Sequence, residues 1–169
     1  MEERIVSLNE LKTHLRITET TDDTLLASLL SAAEDQVENF IGYSIYHGDY
    51  EEEYQPSGII PLRHGPCLSV ESIEDEGGKS YENFSILPLG VLKLEDYGGE
   101  TLTISYEGGY SLVPEALKLA VKIIVESLYN RLGSHGVVNE KTGTYQAQYV
   151  DDIPPTAKTV LSPYRRIRL

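Results

Sequence analysis

The run VPEALKLAVKIIVESLYNRL, from Val113 to Leu132, decides how the rest of this 169-residue chain is read. Pro114 suits a first helical turn, where its missing N–H costs nothing, and Gly133 stands where a left-handed C-terminal cap belongs. Glu115, Lys118, Lys122 and Glu126 recur at helical spacing along one narrow stripe, and nearly everything between them is apolar. A helix that is apolar around most of its circumference has to be covered on several sides. It is therefore either the central helix of a domain or a helix that a second subunit partly covers. The run is too short and too charged to span a membrane.

Toward the N-terminus, Ser7 with Glu10 three residues later forms a capping-box pattern, and Leu8, Leu11 and Leu15 mark one face of a short helix ending near Arg16. Asp22 and Asp23 belong at the positive start of a second helix, which explains both acids without a metal. Its apolar set of Leu25, Leu26, Leu29, Leu30, Ala33, Val37, Phe40 and Ile41 follows the helical period, with Ser28, Ser31, Glu34, Asp35 and Glu38 assigned to the other faces. Gly42 ends it. From residue 43 to 110 the composition shifts to Tyr, Ile, Val and Thr broken by Gly, Pro and acidic clusters, as short strands require. The clearest strand is 101–106, where Leu102, Ile104 and Tyr106 alternate with polar residues.

The fold expected is α+β: a helical core of three main helices (7–16, 22–41 and 114–132), a small antiparallel strand-rich insertion at about 43–110 between the second and third, and an extended C-terminal tail at 158–169. No linker separates the insertion, so residues 1–169 are expected to form a single domain. Residues 133–157 are rich in Gly and Pro and poor in apolar side chains. Loops of that length within a domain are usually functional. Inside this one, Tyr145, Ala147 and Tyr149 alternate with Gln146 and Gln148, a pattern able to pair as a strand with a neighbour.

The formal charge of −13 excludes a protein that holds nucleic acid by neutralising phosphates, yet suits a surface past which DNA slides without adhering. Arg165, Arg166 and Arg168 put a basic tail on an acidic body, a device for docking between subunits. Cys67 is alone, so there is no internal disulfide framework. The four histidines lack ligand spacing, no Gly-Lys-Ser/Thr follows Gly108-Gly109, and no Gly-x-Ser-x-Gly elbow occurs. No catalytic residue, cofactor site or metal site is therefore assigned.

Three stretches, read together, carry a resemblance: 8–17 (LNELKTHLRI) followed by Asp22-Asp23-Thr24-Leu25-Leu26; 104–110 (ISYEGGY) with Pro114, Leu117 and Lys118; and Leu161-Ser162-Pro163-Tyr164-Arg165-Arg166. In type and order they resemble the head-tail connector (adaptor or head-completion) family of tailed double-stranded DNA bacteriophages and related prophages. The resemblance implies a non-enzymatic structural subunit. It would form a ring homo-oligomer, commonly dodecameric, below the portal, extending the DNA channel and giving the tail or a stopper its docking surface. The implied partners are copies of itself, the portal protein and a tail-completion or stopper protein; DNA passes without specific binding and no membrane is involved. The implied location is the virion, assembled in the bacterial host cytoplasm. Pro163, Tyr164, Arg165 and Arg166, with Arg168 beside them, would engage the portal or a neighbouring subunit, while Tyr145, Gln146, Gln148 and Tyr149 would face the lumen or a partner. The strand-rich region is longer than in the smallest members, and no role is carried over to it. Two readings from other classes stand beside this one: a monomeric peptide-binding or scaffolding module using its strand edges, and a hydrolase with converging carboxylates.

Overall fold

The computed structural model describes residues 4–55, 58–95, 99–133 and 153–166. The chain divides into two compact units: Met1–Ile41 with Pro114–Arg165, which is helical, and Gly42–Val113 with Arg166–Leu169, which is built of strands.

The helical unit contains α1 (Leu8–Leu15), α2 (Asp23–Ile41), α3 (Glu115–Gly133) and α4 (Pro155–Leu161), followed by a 3₁₀ turn at Ser162–Tyr164. Ser7 starts α1 with a complete capping box. Its Oγ accepts the Glu10 N–H at 3.2 Å, and the Glu10 carboxylate accepts the Ser7 N–H at 2.9 Å and its hydroxyl at 2.7 Å. These bonds from Ser7 hold the Glu10 carboxyl below the usual carboxylate range. The acids at the head of α2 tie it to its neighbours: Lys12 pairs with Asp23 at 2.6 Å, and the Tyr129 hydroxyl on α3 donates to Asp22 at 2.6 Å.

Glu34, assigned above to a face other than the apolar one, is only 5% exposed. It lies four residues after Leu30 and three before Val37, so the helical period puts it on the buried stripe. One carboxylate oxygen accepts the main-chain N–H groups of Ile5 (3.0 Å) and Val6 (3.4 Å), seating a buried N-terminal segment that precedes any helix. On α3, Leu117, Ala120, Val121, Ile124 and Val125 are fully buried. The helices that pack on it within the unit are α2, α4 and α1.

The strand unit holds two three-stranded antiparallel sheets, ordered β1-β6-β3 and β2-β5-β4. The strands are β1 (Gly48–Tyr54), β2 (Ile59–Pro61), β3 (Cys67–Asp75), β4 (Phe84–Leu87), β5 (Val91–Leu94) and β6 (Leu102–Gly108). Central β6 alternates as its sequence requires, with Leu102, Ile104 and Tyr106 buried. Opposite them in register lie Tyr54, Glu52 and Tyr50 on β1, and Asp75, Ile73 and Val70 on β3. Ile60, Leu62, Leu92 and Leu94 from the second sheet join Cys67, Ile73 and the β6 residues in one buried cluster.

The expected three-helix core with a small strand-rich insertion and an extended tail is thus corrected in three respects. Pro155 opens a fourth helix, and Ala157 and Leu161, four residues apart, are both fully buried. The tail is consequently not extended from residue 158: the helix runs to Leu161 and a 3₁₀ turn follows. The strands, for their part, make two sheets that close a core of their own, because six short strands supply enough inward side chains to do so.

One glycine in this unit is irreplaceable on steric grounds. Gly109, after β6, has φ +87°, and a Cβ there would lie 1.9 Å from the Tyr46 carbonyl oxygen. Its N–H donates to Pro66 at 2.9 Å. Gly109→Ala should therefore cost more than about 3 kcal/mol in denaturant unfolding; a loss under about 1 kcal/mol would contradict this geometry. The capping box gives a pH signature. The depressed Glu10 carboxyl stabilises the fold above the unfolded carboxylate pKa, and that stability is lost as pH falls through the lower folded value. The stability gap between wild type and Glu10→Gln should therefore be full near neutral pH and shrink in acid; a gap independent of pH would be the contrary result.

Candidate functional site

The C-terminal residues singled out in the sequence occupy distinct settings. Pro163 and Arg165 are exposed and Tyr164 is half-buried, all in or beside the 3₁₀ turn that Ser162-Pro163 initiates. The Arg165 guanidinium lies over the Phe40 ring of α2 at 5.1 Å, a cation–π contact that fixes the stem of an otherwise solvated charge.

Arg166 faces its own strand unit. Its Nη1 donates to the Leu62 carbonyl at 2.7 Å and to Gly42 at 3.4 Å; Nη2 donates to Leu89 at 2.5 Å and Gly90 at 3.1 Å; Nε donates to Leu89 at 3.2 Å. The guanidinium also stacks over Tyr43 at 4.8 Å. Burial lowers its pKa from the ordinary value, although an arginine stays charged regardless. The carbonyls converge because Leu89 and Gly90, in the β4–β5 turn, have φ of 61° and 73°. Such a φ is rare for leucine and is kept only where surrounding contacts repay the strain. Small residues line the cradle: a Cβ at Gly90 or Gly65 would come within 3.1 or 3.2 Å of Nη2. The five N–H donors of Arg166 are thus engaged by the protein's own main chain. Arg168, Tyr145, Gln146, Gln148 and Tyr149 lie outside the described residues.

A second polar cluster was not legible as such in the sequence. The acidic run on β1 alternates: Glu51 and Glu53 are exposed, whereas the Glu52 side chain is only 12% exposed. Its carboxylate accepts the Tyr54 hydroxyl and, at 2.8 Å, the Tyr106 hydroxyl. His64 Nδ1 lies 3.3 Å away and Arg63 Nη1 3.8 Å away. Tyr50 stacks on His64 with ring centroids 3.5 Å apart and planes within 6°. Burial, then the Glu52 bond, push the Tyr54 phenol up to about 12, and burial, then Tyr54, raise Tyr106 as well. Two phenols that hold their protons and donate them to one carboxylate satisfy that charge rather than activate it. The signal was present in the period of two, since Tyr50, Glu52 and Tyr54 share a strand face. Three consecutive acids in one stretch mask that alternation. Among the described residues no group of three or more His, Cys, Asp or Glu side chains is placed to hold a metal ion, and no helix is long and apolar enough to cross a membrane.

Comparison with known proteins places this architecture. The family model described as Head completion protein matches residues 4–167. Among solved structures, a chain from the neck of an empty GTA particle, computed with C6 symmetry, aligns with a TM-score of 0.61 at 16% identity, covering 97% of this chain and 91% of that one. A chain from the virion of a native gene transfer agent (GTA) particle aligns with a TM-score of 0.58 at 16% identity, covering 100% and 97%. A chain from the neck of a native GTA particle, computed with C12 symmetry, gives 0.57 at 15% identity, covering 100% and 97%. Identities this low show a shared fold. No curated protein matches the chain significantly.

The cradle makes a specific demand on Arg166, because lysine cannot offer a planar fork to three separate loops. Arg166→Lys should lower unfolding stability by about 2 kcal/mol, as expected when several charge-assisted bonds to carbonyls are lost, with helix content unchanged by circular dichroism. A change below about 0.5 kcal/mol would show that the cradle closes without the guanidinium.

Proposed function

Because the chain belongs to the head completion protein family, we propose that it is a non-enzymatic structural subunit of the junction between the head and the tail of a phage or phage-like particle. In this reading, copies of the chain form a ring below the portal, extend the DNA channel and present a docking surface to the tail or to a stopper protein. The observation that carries it is the family match, which spans residues 4–167 and therefore both units. The shared fold with chains of GTA necks, over 91% or more of their length, supports it.

The residues supply compatible physics. A net charge of −13 favours a bore through which DNA passes without adhering. On α3, Leu119 is 42% exposed beside a fully buried stripe, apolar area that a neighbouring subunit can cover. Pro163, Tyr164 and Arg165 are the docking residues proposed for the portal or the next subunit, with Arg168 beyond them. Arg166 has a different part, since its guanidinium is taken up by carbonyls of its own strand unit. The protein acts in the virion after assembly in the bacterial host cytoplasm.

Deleting the gene tests this. Heads should fill with DNA but then leak it or fail to acquire tails, as seen by electron microscopy and by nuclease sensitivity of the packaged DNA. Fully infectious, tailed particles made without the protein would contradict the assignment.

A further inference from the structure

The two sheets leave four strand edges, those of β1 and β3 in one and of β2 and β4 in the other. Exposed edges invite pairing with other chains, and proteins ordinarily blunt them with charge, proline, irregularity or brevity. Three of these edges are blunted. Along β1, Asp49, Glu51 and Glu53 are exposed. The pairing of β3 is broken by two register shifts, and the strand carries Glu71, Glu74 and Asp75. β2 is three residues long and ends on Pro61.

The edge of β4 is also short, at four residues, but within it there is no charge, proline or register shift. Phe84-Ser85-Ile86-Leu87 is uncharged, pairs with β5 in unbroken register, and exposes Ile86 (43%) and Leu87 (37%). Its hydrogen-bonding phase can be assigned. Glu95 donates its N–H to the Asn83 carbonyl at 3.2 Å, so alternation makes Ser85–Lys93 and Leu87–Val91 the hydrogen-bonded pairs. Leu94, of the opposite phase, donates to Gly58 on the far side of β5 at 3.0 Å. Phe84 and Ile86 consequently turn their main-chain groups to the outer edge. The Phe84 N–H is taken by the Glu82 carbonyl at 3.2 Å. What remains is the Phe84 carbonyl with the N–H and carbonyl of Ile86, and no strand among the described residues pairs with them.

We infer that this edge receives, by strand addition, residues 144–150 of a second copy of the chain. Residues 142–150 (TGTYQAQYV) carry no charge in a chain that is 24% charged. Tyr145, Ala147 and Tyr149 alternate with Gln146 and Gln148, the period of a strand, and place aromatic rings on one side for cross-strand contact with Ile86 or Leu87. The 19 residues of 134–152 connect α3 to Ile153, so an excursion out and back reaches about 30 Å. Each subunit then offers one edge and one arm, a heterologous contact that closes into a ring when the rotation permits. The inference rests on the ring reading above and adds the surface and the segment that would join its subunits.

Pairing Ser85→Cys with Gln146→Cys in one chain, and oxidising assembled particles, tests the contact directly. A ladder of disulfide-linked multimers is expected from the double variant and from neither single variant. Particles that carry the double variant at the neck but yield no linkage, a bond within single chains only, or linkage of the thiol introduced on β4 to a different virion protein would each overturn this inference alone. Absence of the native chain from particle necks would instead overturn the head-tail reading and this contact with it. An independent variant, Ile86→Pro, removes an outward N–H while sparing the β5 ladder. It should reduce ring or neck assembly at least tenfold with unchanged circular dichroism, whereas Ile86→Val should assemble normally. Assembly of Ile86→Pro at the native level would contradict the inference.

Discussion

In the strand unit one guanidinium donates to main-chain carbonyls of several loops together. Gly42 begins the unit, Leu62 follows β2, and Leu89 and Gly90 form the β4–β5 turn; all direct carbonyls at Arg166. A lysine or a water could serve one or two of them, but the planar fork of arginine serves the set in a single geometry. Leu89 keeps a rare φ beside that side chain, and Gly65 and Gly90 are hemmed in by it together with Leu89, Tyr43 and each other. A residue near the end of the chain thereby becomes part of the unit that begins at residue 42.

Two acids show the same logic on a smaller scale. Glu34 is buried on α2 because it caps the amides of Ile5 and Val6. Glu52 is buried on β1 because Tyr54 and Tyr106 donate to it. In both cases a charge occupies a core-facing position whose neighbours supply the hydrogen bonds that burial would otherwise deny it. At Glu52 the protons belong to phenols whose ionisation is pushed upward, so they stay on the tyrosines and satisfy the carboxylate.

These residues also mark where the sequence was legible. The 3.6-residue period of α2 and α3 and the period of two on β6 identify those segments, because each pattern is local and strong. The capping box at Ser7 likewise follows from short-range chemistry, whereas the close approach at Gly109 is to Tyr46, far away in sequence. What the chain does not display locally is how six strands divide between two sheets, since pairing joins residues such as Gly48 and Gly108 across sixty positions. α4 was not assigned as a full helix because its apolar signal is short, Ala157, Val160 and Leu161 between Pro155 and Pro163. The burial of Glu34 and Glu52 was readable from phase, but an acid on a core stripe is ordinarily assigned to solvent. Arg166 read as a basic tail residue because nothing near it in sequence announces the four carbonyls it meets. The family resemblance needed only the order of short stretches.

The two units differ in build: the helical unit closes on the 3₁₀ turn at Ser162–Tyr164, the stretch proposed to dock, and the strand unit takes up Arg166. The central claim is a place in a particle, and a reconstruction of the neck from purified particles tests that most directly. The account predicts a ring of this chain between portal and tail, with Pro163, Tyr164 and Arg165 against the portal or the adjacent subunit. A neck in which the portal meets the tail proteins with no copy of this chain between them would contradict it.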